Sequence, residues 1–126
     1  MIVHVDTSAL VDSLTGPRRS LDTLIALTRE GHRLMLSTIV LYEWRRGPRT
    51  ASELAAQEEL FPSEKAEAFG AAEALVAARL YGKVARPRGR EIDIAVAACA
   101  ITANAAIWTL NVKDFRDIPG LTLIDA

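Results

Sequence analysis

The 126-residue sequence has a single cysteine, two histidines and no long hydrophobic segment. Cys99 cannot form an internal disulfide, which is typical of a protein kept in a reducing compartment. No apolar run approaches the ~20 residues that a transmembrane helix requires. Residues 1–6 lack the basic region and cleavage site of a signal peptide. We therefore expect a single domain over residues 1–126, located in the cytoplasm and without a membrane partner.

Short apolar runs alternate with helical segments along the chain. Residues 2–5 are almost continuously apolar and β-branched, as in a strand that is buried on both faces of a parallel sheet. The same reasoning predicts strands over residues 34–36, 106–110 and 121–124, and helices over residues 9–15, 20–30, 39–46, 50–61, 63–81 and 91–104. Thr7 and Ser8 are expected to cap the first helix. Strands that alternate with helices predict an α/β sandwich with a largely parallel sheet.

Four acidic residues lie at or near the points where apolar runs stop. They are Asp6, Glu43, Asp93 and Asp114. Carboxylates at the ends of buried elements are costly unless something neutralises them. Open α/β sheets bind ligands beyond the carboxyl ends of their strands, so side chains from these four segments can meet at one edge. Four converging carboxylates would form a site for a hard divalent cation such as Mg²⁺ or Mn²⁺.

Each of these acids also has a purely structural explanation when it is considered alone. Asp6 is placed to cap a helix, Asp93 to satisfy a helix N-terminus, Asp114 to form a turn and Glu43 to lie on the surface. Their joint placement at one predicted sheet edge favours the metal site.

The net charge of −1 does not exclude a phosphate-rich substrate. If the four acids belong to a metal site, twelve acids remain against fifteen bases. Twelve of those bases are arginine, whose guanidinium suits bidentate contact with phosphate. Arginines cluster near residues 18–19, 45–49 and 86–90, and we select Arg45 and Arg90 as candidate substrate-binding residues.

Several enzyme classes that handle phosphate do not match the sequence. It contains no Gly-x-x-x-x-Gly-Lys-Ser/Thr segment, which excludes a P-loop nucleotide binder. Phosphatases of the haloacid dehalogenase type need a second Asp two residues after the first, and Ser8 occupies that position. A response-regulator receiver domain would need paired acids at its first strand and a late lysine.

Four segments, in order along the chain, resemble the motifs of PIN-domain nucleases. They are VDTSAL at residues 5–10, LYEWRRG at 41–47, IDIAVAA at 92–98 and WTLNVKDF at 108–115. The third differs from the family pattern, because Val96 replaces the usual isoleucine. The chain's size and its lack of further domains are most similar to the VapC toxins of toxin–antitoxin pairs. The resemblance implies a PIN-like three-layer α/β/α sandwich with a short central sheet.

The resemblance also implies an activity, a cofactor and partners. It predicts an endoribonuclease that hydrolyses RNA with Mg²⁺ or Mn²⁺ held by the four acids, with Ser8 and Asn111 contacting a ligand carboxylate or the scissile phosphate. Thr109 is a weaker candidate. A cognate antitoxin would inhibit the enzyme, and the apolar faces of residues 50–81 are expected to bind it or to form a homodimer. The alternative is a catalytically silent PIN fold that binds RNA or protein.

Three other residues near these motifs are not expected to be principal site residues. We expect His4 to be a hydrogen-bonded core residue, and neither histidine is placed for histidine-based ribonuclease chemistry. Asp117 is an optional outer acid of the metal site. Trp44 is expected to pack under its helix, with stacking on a base as the alternative.

Overall fold

The computed structural model describes all 126 residues, which form four strands and six α-helices. In chain order these are β1 (Ile2–Val5), α1 (Thr7–Leu14), α2 (Leu21–Arg29), β2 (Arg33–Met35), α3 (Thr38–Arg46), α4 (Ala51–Leu60), α5 (Ala71–Tyr81), α6 (Glu91–Thr102), β3 (Ala106–Trp108) and β4 (Thr122–Leu123). Two 3₁₀ turns cover Ser63–Lys65 and Val112–Asp114. None of the helices has the length and apolar character needed to cross a membrane.

The four strands form one parallel sheet in the order β2-β1-β3-β4. After β1 the chain first adds β2 on one side of β1, and it later adds β3 on the opposite side of β1. Because parallel crossovers are nearly always right-handed, this reversal puts helices on both faces of the sheet. The predicted three-layer α/β/α architecture is confirmed. The reversal also leaves a crevice at the carboxyl ends of β1 and β3, where open α/β sheets bind ligands.

The core lies where β1 and α6 are enclosed by the other elements. Val3 and Val5 are fully buried in β1, as their β-branched run predicts. Helix α6 is buried along residues 94–100 and packs against α5 and β3, which explains why it is apolar on every side. Burial raises the pKa of the Cys99 thiol to about 12, so this cysteine is an unreactive core residue.

The predicted helix over residues 63–81 is wrong in its first half. After a 3₁₀ turn the chain is extended, and the α-helix begins only at Ala71. The Glu67 N–H donates to the Leu36 carbonyl at 2.9 Å, and the Thr38 N–H donates to the Glu67 carbonyl at 2.8 Å. This pairing with the end of β2 satisfies backbone groups that a helix would have used, so a long-range contact overrides the local helix propensity.

His4 is a core residue, but the expectation that it is hydrogen-bonded is wrong. It is 1% exposed, lies between Met35 and Ile107 in the sheet, and has no hydrogen-bond partner at either ring nitrogen. Burial lowers the pKa of His4, and the Glu67 charge opposes that shift only in part. The imidazole is therefore buried in its neutral form, at a cost in stability.

We expect His4→Leu to raise the free energy of unfolding by about 1–3 kcal/mol at neutral pH, because it removes buried polar atoms that lack partners. The gain should grow as the pH falls below 6.5, since the unfolded histidine then takes up a proton that the folded one resists. Urea unfolding at pH 7.5 and 5.5 measures both effects. His32→Leu is the control, and a less stable His4→Leu protein at both pH values would contradict the prediction.

Candidate active site

Asp6 lies at the junction of β1 and α1, and its carboxylate does not cap the helix. Its backbone N–H donates to the Trp108 carbonyl at 2.9 Å, which extends the sheet contact between β1 and β3. It occupies the N-cap position of α1, but its side chain makes no capping hydrogen bond. Instead Oδ2 accepts from Ser8 Oγ at 3.0 Å and from Thr109 Oγ1 at 2.7 Å. The side chain is 4% exposed and oriented by two hydroxyls, while Oδ1 has no hydrogen-bond donor.

Glu43 reaches this edge from α3. Thr7 Oγ1 donates to Glu43 Oε1 at 2.6 Å, and Arg46 Nη2 lies 3.6 Å from Oε2. The first turn of α1 thus orients two carboxylates, Glu43 through Thr7 and Asp6 through Ser8. The prediction that Thr7 and Ser8 cap the first helix is wrong, because both hydroxyls are used in these contacts.

Asp93 and Asp114 come to the same edge from two further elements. Asp93 lies in the first turn of α6, and Asp114 ends the 3₁₀ turn that follows β3. The pKa of Asp93 is raised to about 6, first by burial and then by the negative charges of the other three carboxylates. The Arg90 charge offsets this only in part. The charges of Asp6, Asp114 and Glu43 thus act unfavourably on the ionised Asp93, and a cation bound between the carboxylates would relieve that repulsion.

Arg90 connects the two elements that carry Asp93 and Asp114. Its Nη1 donates to the Ala85 carbonyl at 2.9 Å and to Asp117 Oδ2 at 3.0 Å. Its Nη2 donates to the Asp114 carbonyl at 2.9 Å and to Asp117 Oδ1 at 2.6 Å. The four N–H groups at the end of the guanidinium are all used, and the side chain is 20% exposed. Arg90 thus holds the Ala85 and Asp114 carbonyls and the Asp117 carboxylate together, and Asp117 is its ion-pair partner.

The arginines of α3 lie in different surroundings. Arg45 Nη2 lies 3.0 Å from Glu58 Oε2 on α4, so the structure pairs this predicted substrate-binding residue with an acid outside the group of four. Arg46 is the arginine beside Glu43. Trp44 is fully buried with Arg49 stacked on its ring at 4.3 Å, so the alternative that it stacks on a base is wrong.

The two polar residues after β3, Thr109 and Asn111, differ in their contacts with the carboxylates. Asn111 is exposed, and its side chain bonds neither to a carboxylate nor to the following turn. Thr109, the weaker candidate, is buried and its hydroxyl donates to the Asp6 carboxylate. Two contacts near the site were not predicted from the sequence: that of Thr7 with Glu43 and that of Arg90 with Asp117. The only local signals were the position of Thr7 directly after Asp6 and that of Asp117 three residues after Asp114.

The donor set fits a hard divalent cation, although the protein side chains do not form a closed cage. No three His, Cys, Asp or Glu side chains stand close enough together to hold an ion as they are placed. Carboxylate oxygens are the preferred ligands of Mg²⁺ and Mn²⁺, and Mg²⁺ usually takes only one or two carboxylates together with water. The raised pKa of Asp93, to which the three other acids contribute, fits a carboxylate in a cation-binding group without its cation.

Comparison with known proteins shows the family to which this chain belongs. The sequence model described as "PIN domain" matches residues 3–121. Ribonuclease VapC19 of Mycobacterium tuberculosis is 33% identical over 126 residues, covering 93% of this chain and 94% of the relative. The match covers the four acids and the strands that position them, and it confirms the predicted resemblance.

Solved structures share the fold across the whole chain. One is VapBC2 from Rickettsia felis bound to a DNA fragment from its promoter, with a TM-score of 0.76 and 22% identity over 100% of this chain and 99% of the other. Another is DNA-bound VapBC from Salmonella typhimurium, with a TM-score of 0.78 and 20% identity over 99% and 98%. The chain belongs to the PIN-domain family, in the group that includes the VapC ribonucleases.

Proposed function

We propose that this chain is a metal-dependent endoribonuclease that acts as the toxin of a toxin–antitoxin pair in the cytoplasm. The observation that carries the proposal is the meeting of four carboxylates at the β1/β3 edge, where the charges of Asp6, Asp114 and Glu43 help to raise the pKa of Asp93. Relatedness to VapC19, which is named as a ribonuclease, supports RNA as the substrate. The whole of residues 1–126 would act as one domain.

In this proposal Asp6, Glu43, Asp93 and Asp114 hold Mg²⁺ or Mn²⁺, directly or through water. The bound ion would supply a Lewis acid for the phosphate oxygens and lower the pKa of an attacking water. Ser8 and Thr109 orient Asp6 and leave its Oδ1 free, while Thr7 orients Glu43. Such hydrogen bonds hold ligand carboxylates in place and fix the geometry of a metal site.

The chain's own cations have separate roles. Arg90 fixes Asp114 relative to α6 and is a positioning residue, since its terminal donors are already used. Asn111 keeps a free, exposed amide beside the site and remains the candidate for contact with the scissile phosphate. Arg45 would contribute to the positive field along the RNA path, although it is paired with Glu58.

The proposed antitoxin partner is supported by apolar surface on α5. A groove of about 370 Å³ between α5 and α6 is lined by Phe69, Tyr81, Ile94, three alanines and Glu91, and Leu75 on α5 is 70% exposed. Exposed apolar surface of this kind marks interaction sites. The related VapBC structures pair two proteins, which favours a cognate antitoxin here, with a homodimer contact as a second use of the same surface.

The test is cleavage of total RNA by purified chain freed of antitoxin, with Mg²⁺, Mn²⁺ or EDTA. We expect discrete fragments with either metal, none with EDTA, and no 2′,3′-cyclic phosphate ends, because no histidine lies at the site. Adding back the protein encoded beside it should suppress cleavage. Cleavage that persists in EDTA would contradict the metal-dependent chemistry, and RNA binding without cleavage under any metal would support the silent binding module instead.

A further inference from the structure

Tyr42 is an exposed aromatic residue directly before Glu43 in α3. It precedes Glu43 on α3 and is 60% exposed, whereas the next aromatic residue, Trp44, is fully buried. The helix thus places one aromatic ring in the core and another in solvent within three residues. Packing in the core explains Trp44, but no core contact explains why position 42 carries a large ring.

Arg46 connects the Tyr42 ring to the site. Its guanidinium carbon lies 5.2 Å from the centre of the Tyr42 ring, and its Nη2 lies 3.6 Å from Glu43 Oε2. One guanidinium therefore contacts both the ring and a proposed metal ligand. The Arg46 side chain is 54% exposed, so its positive charge is also open to a ligand in solution.

We propose that Tyr42, backed by Arg46, is a stacking platform for an unpaired RNA base next to the cleaved phosphate. This inference rests on the proposed ribonuclease function. Proteins recognise single-stranded RNA by stacking its bases on aromatic rings and arginine planes, and a ring–arginine pair offers both. The contact between Arg46 and Glu43 connects this platform to the proposed metal site. The positive charge of Arg46 offsets the repulsion between the acids of the site and the RNA phosphates.

The binding test uses short fluorescent single-stranded RNA and protein carrying Asp93→Asn, so that the probe is not cut. Adding Tyr42→Leu should weaken binding of an adenosine-rich probe by roughly 5- to 150-fold, the range expected for one stacked base. Tyr42→Phe keeps the π-face and should bind within about twofold of the parent. Ile25→Ala is the control, since it removes an exposed apolar side chain from α2, a helix that contributes no residue to the four acids or to the α5 groove. Equal thermal unfolding midpoints establish that all variants are folded.

Cleavage provides a second readout. In otherwise unaltered protein with Mg²⁺, Tyr42→Leu should raise KM or change the preferred cleavage sequence, while Tyr42→Phe restores the parent behaviour. Unchanged RNA affinity and unchanged cleavage sites in Tyr42→Leu would overturn the platform and leave the ribonuclease function standing. Loss of antitoxin binding with normal RNA affinity would reassign the ring to a protein contact. A parent protein that neither binds nor cuts any RNA would overturn both proposals.

Discussion

Asp93→Asn is expected to lower RNA cleavage in Mg²⁺ by at least about 100-fold. Metal coordination supplies several kcal/mol of transition-state stabilisation, and each ~1.4 kcal/mol is worth tenfold in rate. The amide is close in size to the carboxylate but carries no charge to attract the cation. The measurement is the initial rate of cleavage of one RNA substrate at saturating Mg²⁺, together with the Mg²⁺ concentration needed for half-maximal rate.

Asp22→Asn is the matched control for this variant. Asp22 is an exposed acid in the first turn of α2, just as Asp93 lies in the first turn of α6. Its loss should leave cleavage unchanged, because it lies outside the group of four. Equal activity of Asp93→Asn and the parent would remove Asp93 from the proposed site.

The same Asp93→Asn variant should be more stable than the parent when metal is absent. In the folded protein burial and the three neighbouring acids raise the pKa of Asp93 to about 6, above its ordinary 3.8. Ionisation of Asp93 therefore destabilises the fold, with no cost below pH 3.8 and the full cost above about pH 6. We expect a gain of about 1 kcal/mol at pH 8 in EDTA, after allowing for solvent screening of a half-exposed group.

Unfolding measurements in EDTA at pH 8 and pH 4 test this directly. The gain should be present at pH 8 and should shrink at pH 4. Saturating Mg²⁺ should reverse the order at pH 8, since only the parent gains the stabilisation that comes from cation binding. A variant less stable than the parent at pH 8 in EDTA would show that the carboxylates do not repel one another.

Arg90→Ala is expected to reduce cleavage by about 10- to 100-fold, the usual cost of losing a group that orients metal ligands. Without the guanidinium, the turn that carries Asp114 loses its attachment to the start of α6. Arg90→Lys should recover little, because an ammonium cannot form the paired contacts with Asp117 and also reach the Asp114 carbonyl. Cleavage rates and half-maximal Mg²⁺ concentrations for both variants provide the measurement.

Asp117→Asn distinguishes a positioning role from direct phosphate binding. If Arg90 acts by positioning Asp114, Asp117→Asn should reproduce much of the decrease in cleavage rate seen in Arg90→Ala and should weaken Mg²⁺ binding. If Arg90 binds the RNA backbone instead, Arg90→Ala should raise KM and reduce the salt dependence, and Asp117→Asn should have little effect. Arg88→Ala is the control, because Arg88 is an exposed arginine of the same loop with no ion pair.

The sequence predicted most of the fold because its signals are local. The β-branched run of residues 2–5 predicted a strand buried on both faces, and Val3 and Val5 are buried completely. The apolar character of α6 predicted an enclosed helix in the same way. The helix predicted for the segment before α5 is wrong because the backbone of that segment pairs with residues 36 and 38, about 30 positions away. Local composition does not show such a pairing.

The positions of Asp6, Glu43, Asp93 and Asp114 at or near the ends of apolar runs can be read from the sequence, and they led to the prediction that the four acids lie at one edge of a parallel sheet. The hydrogen-bond partners of these acids and of the residues beside them become visible only in the folded chain. Thr109 reaches Asp6 across 103 residues, and Arg90 reaches Asp117 across 27. The alternation of apolar and polar residues shows which face of an element is buried, because burial follows the local period. A side-chain contact between distant segments depends on how the elements pack, and that is set by the whole core.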